Sequence, residues 1–309
     1  MMKKTMIHKT YNSNRKIKFA GMFRMAIFVS LLLLSASCVK DDLHNTPHPD
    51  KGAVKVTTDW TGRSSDAILP DSYVLRTGGN EQTVSGETNA VNTLFDPGQQ
   101  ELLVYHRTEG ITIDGNIATV NTRADGTLEP MPGFLFSAAK ELDIVADDTV
   151  RVTVPMQQHI RTLTLGLNLK PGEELRIGST TATLTGMASS IDLTTGTVQT
   201  TGGKTVVPAF AIRTNDGKTR ATGNPVLSAT VRLLGVVTGE KQVLTLVITL
   251  ADGYVQTIST DLTELLKNFG HAEMEPLELD AALELPVASG VGGKISDWNV
   301  VDNGDIKVN

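Results

Sequence analysis

Short runs of alternating apolar and polar residues, each closed by a turn signal, fill most of this 309-residue chain. In "VKVTTDW", Val54, Val56, Thr58 and Trp60 fall on one face at period two, the mark of a strand with one buried side. "TGRSSD" at 61–66 breaks the run. "DSYVLRTGGNEQTVSG" reads as two strands around Gly78-Gly79. "ELLVYHRT" is a strand with Leu103 and Tyr105 on one face and Leu102, Val104 and His106 on the other. "GITIDGNIATVNT" predicts a hairpin turning at Asp114-Gly115, a dipeptide that tolerates the positive φ of a tight turn. Residues 123–133 read as loop.

The stretch 149–169 is strand-like on both sides of Pro155. Val150, Val152 and Val154 alternate before it, and Leu163, Leu165, Leu167 and Leu169 after it. Proline cannot donate to a ladder and is excluded from a central strand. One sandwich is therefore expected to end, and another to begin, near residue 157. Beyond it, "TATLTG", "SIDLTTGTVQ", "VVPAFAI", "VLSATVRLLGV", "KQVLTLVITL" and "YVQTIST" are strand candidates, with "EPLELDAALEL" and "ISDWNVV" closing the chain. One helix is expected. Asp261 caps it with Glu264 three residues on, Leu262, Leu265, Leu266 and Phe269 share a face, and Gly270 stops it. The pattern predicts an all-β chain of antiparallel sandwiches over 53–157 and 158–309, with one short helix in the second. Helices do not alternate with strands, which speaks against a parallel α/β fold.

The N-terminus breaks the alternation. Lys3, Lys4, Lys9, Arg15, Lys16, Lys18 and Arg24 precede "MAIFVSLLLL", then small residues "SAS", then Cys38, the single cysteine of the chain. The apolar run is shorter than the roughly 20 residues that span a bilayer. A basic segment, a short apolar segment and small residues make a secretory signal. A cysteine directly after it has the pattern of a bacterial lipoprotein, in which the thiol becomes a thioether to diacylglycerol. Here Leu34 stands four residues before the cysteine and Ser35 three before it. Residues 1–37 are read as signal peptide, with Met1, Met22 and Met25 as alternative starts, and 38–52 as a lipidated tether. Lys40, Asp41 and Asp42 resemble the signal that exports lipoproteins to the outer face of the outer membrane in Bacteroidota.

Charge narrows the partners. Removing residues 1–37 takes seven of the 28 Lys and Arg and none of the 34 Asp and Glu, leaving a net charge of −13. Phosphate backbones would repel such a chain, so nucleic acid is excluded as a partner. The lipid would be the membrane contact, and several acyl chains on one N-terminus hold stably where one does not.

No catalytic, cofactor-binding or metal-ligating set is found. His44 and His48 lie in the tether beside Asp41, Asp42 and Asp50, which makes a weak metal site at best. His106 and His159 stand alone in strand patterns, and His8 falls in the signal. Motifs for serine hydrolases, zinc proteases and nucleotide binding are missing, and "DNGD" at 302–305 lacks the rest of a calcium loop. No enzyme and no small-molecule substrate is expected.

The order of "CVKDDL", "HPDKGAVKVTTDW", "NTLFDPGQQELLVY", "PGFLFSA", "VPMQQHIRTLTL", "ATVRLLGV" and "ISDW" resembles the FimB-like fimbrial anchor lipoproteins of Bacteroidales, over roughly residues 38–300. That resemblance implies two tandem transthyretin-like sandwiches. It implies a subunit that attaches or terminates a fimbrium at the outer membrane, with other fimbrial subunits as partners. Relatives assemble by strand complementation, in which a protease removes the first strand and a neighbour's strand replaces it. The alternative within the family is a trimmed stalk or tip subunit, for which Arg63 in "TGRSSD" is the candidate cleavage point. A surface glycan-binding lipoprotein is the alternative from another class. Its aromatic platform is not visible, since Trp60 and Trp298, the two tryptophans, both lie in strand patterns.

Overall fold

In the computed structural model, residues 50–213, 224–270, 273–286 and 292–301 are described. Cys38, Lys40, Asp41, Asp42, His8, His44, His48, His271 and residues 302–305 lie outside them.

The first half carries β1 (Ala53–Asp59), β2 (Tyr73–Thr77), β3 (Asn80–Val84), β4 (Thr88–Ala90) and β5 (Gly98–Tyr105). Then come β6 (Ile111–Asp114), β7 (Ile117–Val120), β8 (Phe136–Ile144), β9 (Thr149–Pro155) and β10 (Gln157–Gln158). The second half carries β11 (Arg161–Asn168), β12 (Ile177–Met187), β13 (Ser190–Asp192), β14 (Thr197–Val198), β15 (Lys204–Val206) and β16 (Ala211–Arg213). It closes with β17 (Val226–Leu233), β18 (Val243–Leu250), β19 (Val255–Asp261), α1 (Thr263–Leu266), β20 (Leu277–Glu284) and β21 (Lys294–Val300).

The fold is all-β, as the alternation predicts. In the first half a sheet ordered β4-β1-β9 accompanies one ordered β10-β8-β5-β2-β3. In the second, β16-β17-β11-β20-β21 accompanies β15-β12-β18-β19. Apolar side chains from all four sheets meet in one continuous core, from Val54 and Val56 of β1 through Leu163, Leu165 and Leu167 of β11 to Leu283 of β20. The strand periods survive packing, with strict burial alternation along β1 and β18.

Several local details depart from the sequence reading. First, β1 runs parallel to β9, and β11 parallel to β20, whereas the other ladders among the described residues are antiparallel. Alternation reports which face is buried and not strand direction, and the long connection between β1 and β9 permits the crossover a parallel pair needs. Second, the β6–β7 turn sits one residue later than expected. Asp114 pairs with Ile117, so Gly115 and Asn116 occupy its centre, with Gly115 at φ 56. Positive φ at the first central position is what glycine supplies in such hairpins. Third, the helix is a single turn. Asp261 ends β19, and its Oδ1 accepts from the Thr263 amide at 3.0 Å. Leu262, Leu266 and Phe269 are buried, so the apolar spacing serves as a plug over the sandwich and not as a long helix. Fourth, β6 and β7 leave the first half. They join β13 and β14 in a four-stranded sheet ordered β14-β13-β7-β6, with Ile191 opposite Ala118. This sheet stitches the two halves of the chain together.

Candidate functional site

The site builds around β1 and the loop that leaves it. β1 is a central strand. It pairs with β9 over all seven residues, Ala53 opposite Thr149 to Asp59 opposite Pro155, and with β4 through Lys55, Val56 and Thr57. Its even-numbered side chains turn inward, and Val54, Val56 and Thr58 are at most 3% exposed.

Both ends of β1 are pinned. At its start, Gly52 exchanges two backbone hydrogen bonds with Phe95, each 2.9 Å. A Cβ on Gly52 would stand 2.4 Å from the Val145 carbonyl oxygen, so only glycine fits where the chain enters the sandwich. At its end, Trp60 packs edge-on against Tyr73 and Phe136, with ring centroids 5.8 and 5.4 Å away. The Trp60 Nε1 donates to Thr58 Oγ1 at 2.9 Å. An open pocket of about 450 Å³ lies beside it, walled in part by Trp60, Leu69, Pro70, Tyr73 and Glu87.

The loop after Trp60 holds Arg63, and the structure places it on the surface. Its guanidinium donates to the Trp60 carbonyl at 3.4 Å and makes no other hydrogen bond among the described residues. The next residues are held fast. Ser64 is 2% exposed. Its amide donates to Gln158 Oε1 at 2.8 Å, and Gln158 Nε2 donates back to Ser64 Oγ at 2.9 Å and to the Ile160 carbonyl at 2.7 Å. The Ser64 hydroxyl donates to Asp66 Oδ1 at 2.7 Å, and Thr162 Oγ1 donates to Asp66 Oδ2 at 2.6 Å. The Ser65 amide and hydroxyl both reach the Glu275 carboxylate, at 3.0 and 2.6 Å. The 64–66 segment is therefore tied to β10, β11 and the approach to β20. Sequence reading found Arg63 and missed this clasp, because Gln158, Thr162 and Glu275 come from distant points in the chain.

The two histidines read in strand patterns lie just outside the strands, His106 directly after β5 and His159 between β10 and β11, and both are buried and uncharged near neutrality. Burial pushes His159 down to about 4. Burial does the same to His106, also to about 4, against hydrogen bonding with the backbone at Phe134 and Phe136. His159 Nε2 lies 2.7 Å from Ser137 Oγ, the spacing of a nucleophile and its base. But Ser137 donates its one hydroxyl hydrogen to the Leu193 carbonyl at 3.0 Å. His159 Nε2 must then be the donor to Ser137, which leaves no lone pair there to take a proton. The pair reads as a satisfied core contact. Among the described residues no cluster of three or more His, Cys, Asp or Glu could hold a metal, and no helix is long and apolar enough to cross a membrane.

Four carboxylates, Asp125 and Asp261 exposed and Asp59 and Asp192 half-buried, repeat one local device. Asp59, Asp125, Asp192 and Asp261 each accept from the amide of the threonine two residues on, and hydrogen bonds to that threonine hold each below the usual carboxylate range. They are turn-forming groups and not ligands.

The family of fimbrillin-A associated anchor proteins Mfa1 and Mfa2 matches residues 43–304. The fimbrial anchor protein Mfa2 from Porphyromonas gingivalis superposes with a TM-score of 0.56 at 9% identity, over 81% of this chain and 97% of that one. A Bacteroides ovatus protein described as an adhesin gives 0.57 at 11% identity, over 82% and 93%. A Bacteroides thetaiotaomicron structure described as a polysaccharide-binding protein gives 0.54 at 9%, over 82% and 99%. At these identities the structural likeness is one of fold. No curated protein matches the sequence.

Proposed function

This chain belongs to the family of fimbrillin-A associated anchor proteins, and from that premise we propose that it is the lipid-held subunit that begins or ends a fimbrium at the outer membrane. Membership places it among fimbrial proteins of the cell surface. The finer reading is that Cys38 carries the lipid, 38–52 is the tether, and Lys40, Asp41 and Asp42 route the protein to the outer face. The chain then divides near residue 157 into a membrane-proximal sandwich and a distal one, with partner subunits joining by strand complementation.

The observation that carries this reading is the double pinning of β1. A stalk or tip subunit of the trimmed kind surrenders its first strand, which requires a protease to draw an extended segment around the scissile bond into its cleft. Here β1 is fixed in two ladders on one side of Arg63, and the clasp fixes Ser64 to Asp66 on the other. Proteases cut where local opening is cheap, at exposed tips with few ties. Between β1 and the clasp, Thr61, Gly62 and Arg63 are the exposed residues that meet that description. A chain that keeps β1 also keeps whatever precedes it, and a lipid at Cys38 then stays attached to the fimbrium.

Replacing Cys38 with Ala tests the attachment. The variant should leave the outer-membrane fraction for the soluble one, and fimbriae should be shed into the medium. Retention of the variant in the outer membrane as firmly as wild type would overturn the proposal. Replacing Lys40, Asp41 and Asp42 together with Ala should protect the chain from protease added to intact cells.

A further inference from the structure

Where β17 meets the loop 68–72 lies an open cavity of about 420 Å³, lined on one wall by Ile68, Leu69 and Pro70 and on the others by His106, Arg107, Phe134 and Arg232. Arg232 projects from β17 and stacks its guanidinium on the Phe134 ring, 4.2 Å from the centroid. Its Nε is buried without a hydrogen-bond partner, and so is the Nδ1 of His106. Among the described residues no acidic side chain comes within 4.0 Å of Arg232. Arg63, Arg151 and Arg213 also lack an acid partner, but they lie exposed, where water solvates the charge. Arg232 is partly withdrawn from water in a chain whose segment after residue 37 carries a net charge of −13. Acid groups are abundant, yet among the described residues none has been placed on it.

A half-buried cation with no counter-charge is costly, and the cost is removed by a ligand that brings the charge. The remaining polar groups of the lining do not supply it. Arg107 is already 3.1 Å from Glu81. Asp71, the acid of the lining, is exposed and within salt-bridge distance of neither arginine. Ser72 and Thr108 are neutral. Ile68 and Leu69 are 80% and 45% exposed, a large apolar surface for a loop that ends at a proline. The wall is therefore apolar on one side and cationic on the other.

We propose that this cavity binds a carboxylate carried next to an apolar group, with Arg232 as the charge partner and Ile68 and Leu69 as the apolar contact. The volume is within the range of small-ligand pockets and suits a small acid or the side chains of one or two residues. The shared chemistry has two sources, a free aliphatic acid or an acidic residue on a segment of another protein. The proposal does not depend on the fimbrial reading, because it rests on this cavity alone.

Calorimetric titration of the full chain in detergent tests it. The probes are butanoate and butanamide, and the blocked dipeptides acetyl-Leu-Glu-amide and acetyl-Leu-Gln-amide. At least one acid should bind about tenfold or more tighter than its amide, the difference a charge-assisted hydrogen bond makes. Binding by butanoate identifies a free acid as sufficient, and binding by the glutamyl peptide alone identifies a protein segment. Arg232→Gln should abolish the preference for acid over amide. Arg232→Lys, which keeps the charge, should retain part of it, and Arg151→Gln on β9 should change nothing. Thermal unfolding of each variant separates loss of the site from loss of the fold. Equal binding of acid and amide, no binding by any probe at tens of millimolar, or an undiminished preference in folded Arg232→Gln would overturn the proposal.

Discussion

Gln158→Met should open the loop after β1 to protease. The substitution keeps the length of the side chain and removes its amide. Gln158 is 1% exposed and makes three hydrogen bonds, two of them to Ser64 and one to the Ile160 carbonyl. In the variant the Ser64 hydroxyl still has Asp66. The Ser64 amide and the Ile160 carbonyl lose this partner in a buried place. Each such orphan costs about 1–3 kcal/mol, and two, after partial relaxation, about 2–4 kcal/mol. If the closed loop is in rapid exchange with an open form, cleavage follows the open population, so its rate rises by the same free energy. That is about 30- to 700-fold, at 1.4 kcal/mol per factor of ten. The assay is timed trypsin digestion of the full chain under native conditions, with the new N-terminus at Ser64 followed by mass spectrometry. Urea unfolding run in parallel distinguishes local from global loss. Two results would refute the reasoning. One is rapid cleavage after Arg63 in the wild type, at the rate of a flexible peptide. The other is no acceleration in Gln158→Met.

Two other outcomes follow from the same contacts. Gly52→Ala should destabilise the chain by about 1–3 kcal/mol, the range for forced overpacking, because its Cβ meets the Val145 backbone as well as the buried Ile144 side chain; a shift of the urea midpoint with unchanged slope measures it. Stability should fall as pH drops from about 6.5 to 4. His106 and His159 are held near 4 when folded and titrate at their ordinary value when unfolded, so in that window the unfolded chain binds more protons. Each contributes up to about 3 kcal/mol of that loss, and an Asn substitution at either position should flatten the pH profile of the unfolding midpoint.

The strands were legible where one face is buried and one is wet. β1, β18 and the glycine-centred hairpin between β2 and β3 could be read directly, because period two and positive-φ glycines are local signals. β8 could not. "SAAKELD" is rich in helix formers, yet it lies between β5 and β10, with Glu101 opposite Glu141 and Ser137 opposite both Tyr105 and Gln157. Pairing to two neighbours overrides a weak local preference. "VVPAFAI" read as one strand but splits into β15 and β16, which belong to different sheets on either side of Pro208. The β6–β7 hairpin was legible as a hairpin, but its partner β13 lies some seventy positions further along, and nothing local names it. The functional features divide the same way. Arg63 was visible as a basic residue in a turn. The clasp over Ser64 and the uncompensated Arg232 depend on residues brought together from both halves, and spacing along the chain carries no trace of them.

We propose that this fimbrial protein keeps its first strand and its lipid in the assembled structure. Removing β1 would uncover Val54, Val56 and the inner side of Trp60, a loss of very roughly 5–8 kcal/mol at about 1.5–3 kcal/mol per side chain, and an upper bound since unfolded chains are not fully extended. That is comparable to the whole stability of a typical domain, about 5–15 kcal/mol, so β1 can leave only when another strand takes its place. Mass spectrometry of the N-terminal peptide of this chain, recovered from assembled fimbriae, decides the matter. The account predicts a peptide that begins at acylated Cys38. A dominant N-terminus at Ser64 would contradict it, and would make the chain a trimmed stalk or tip subunit.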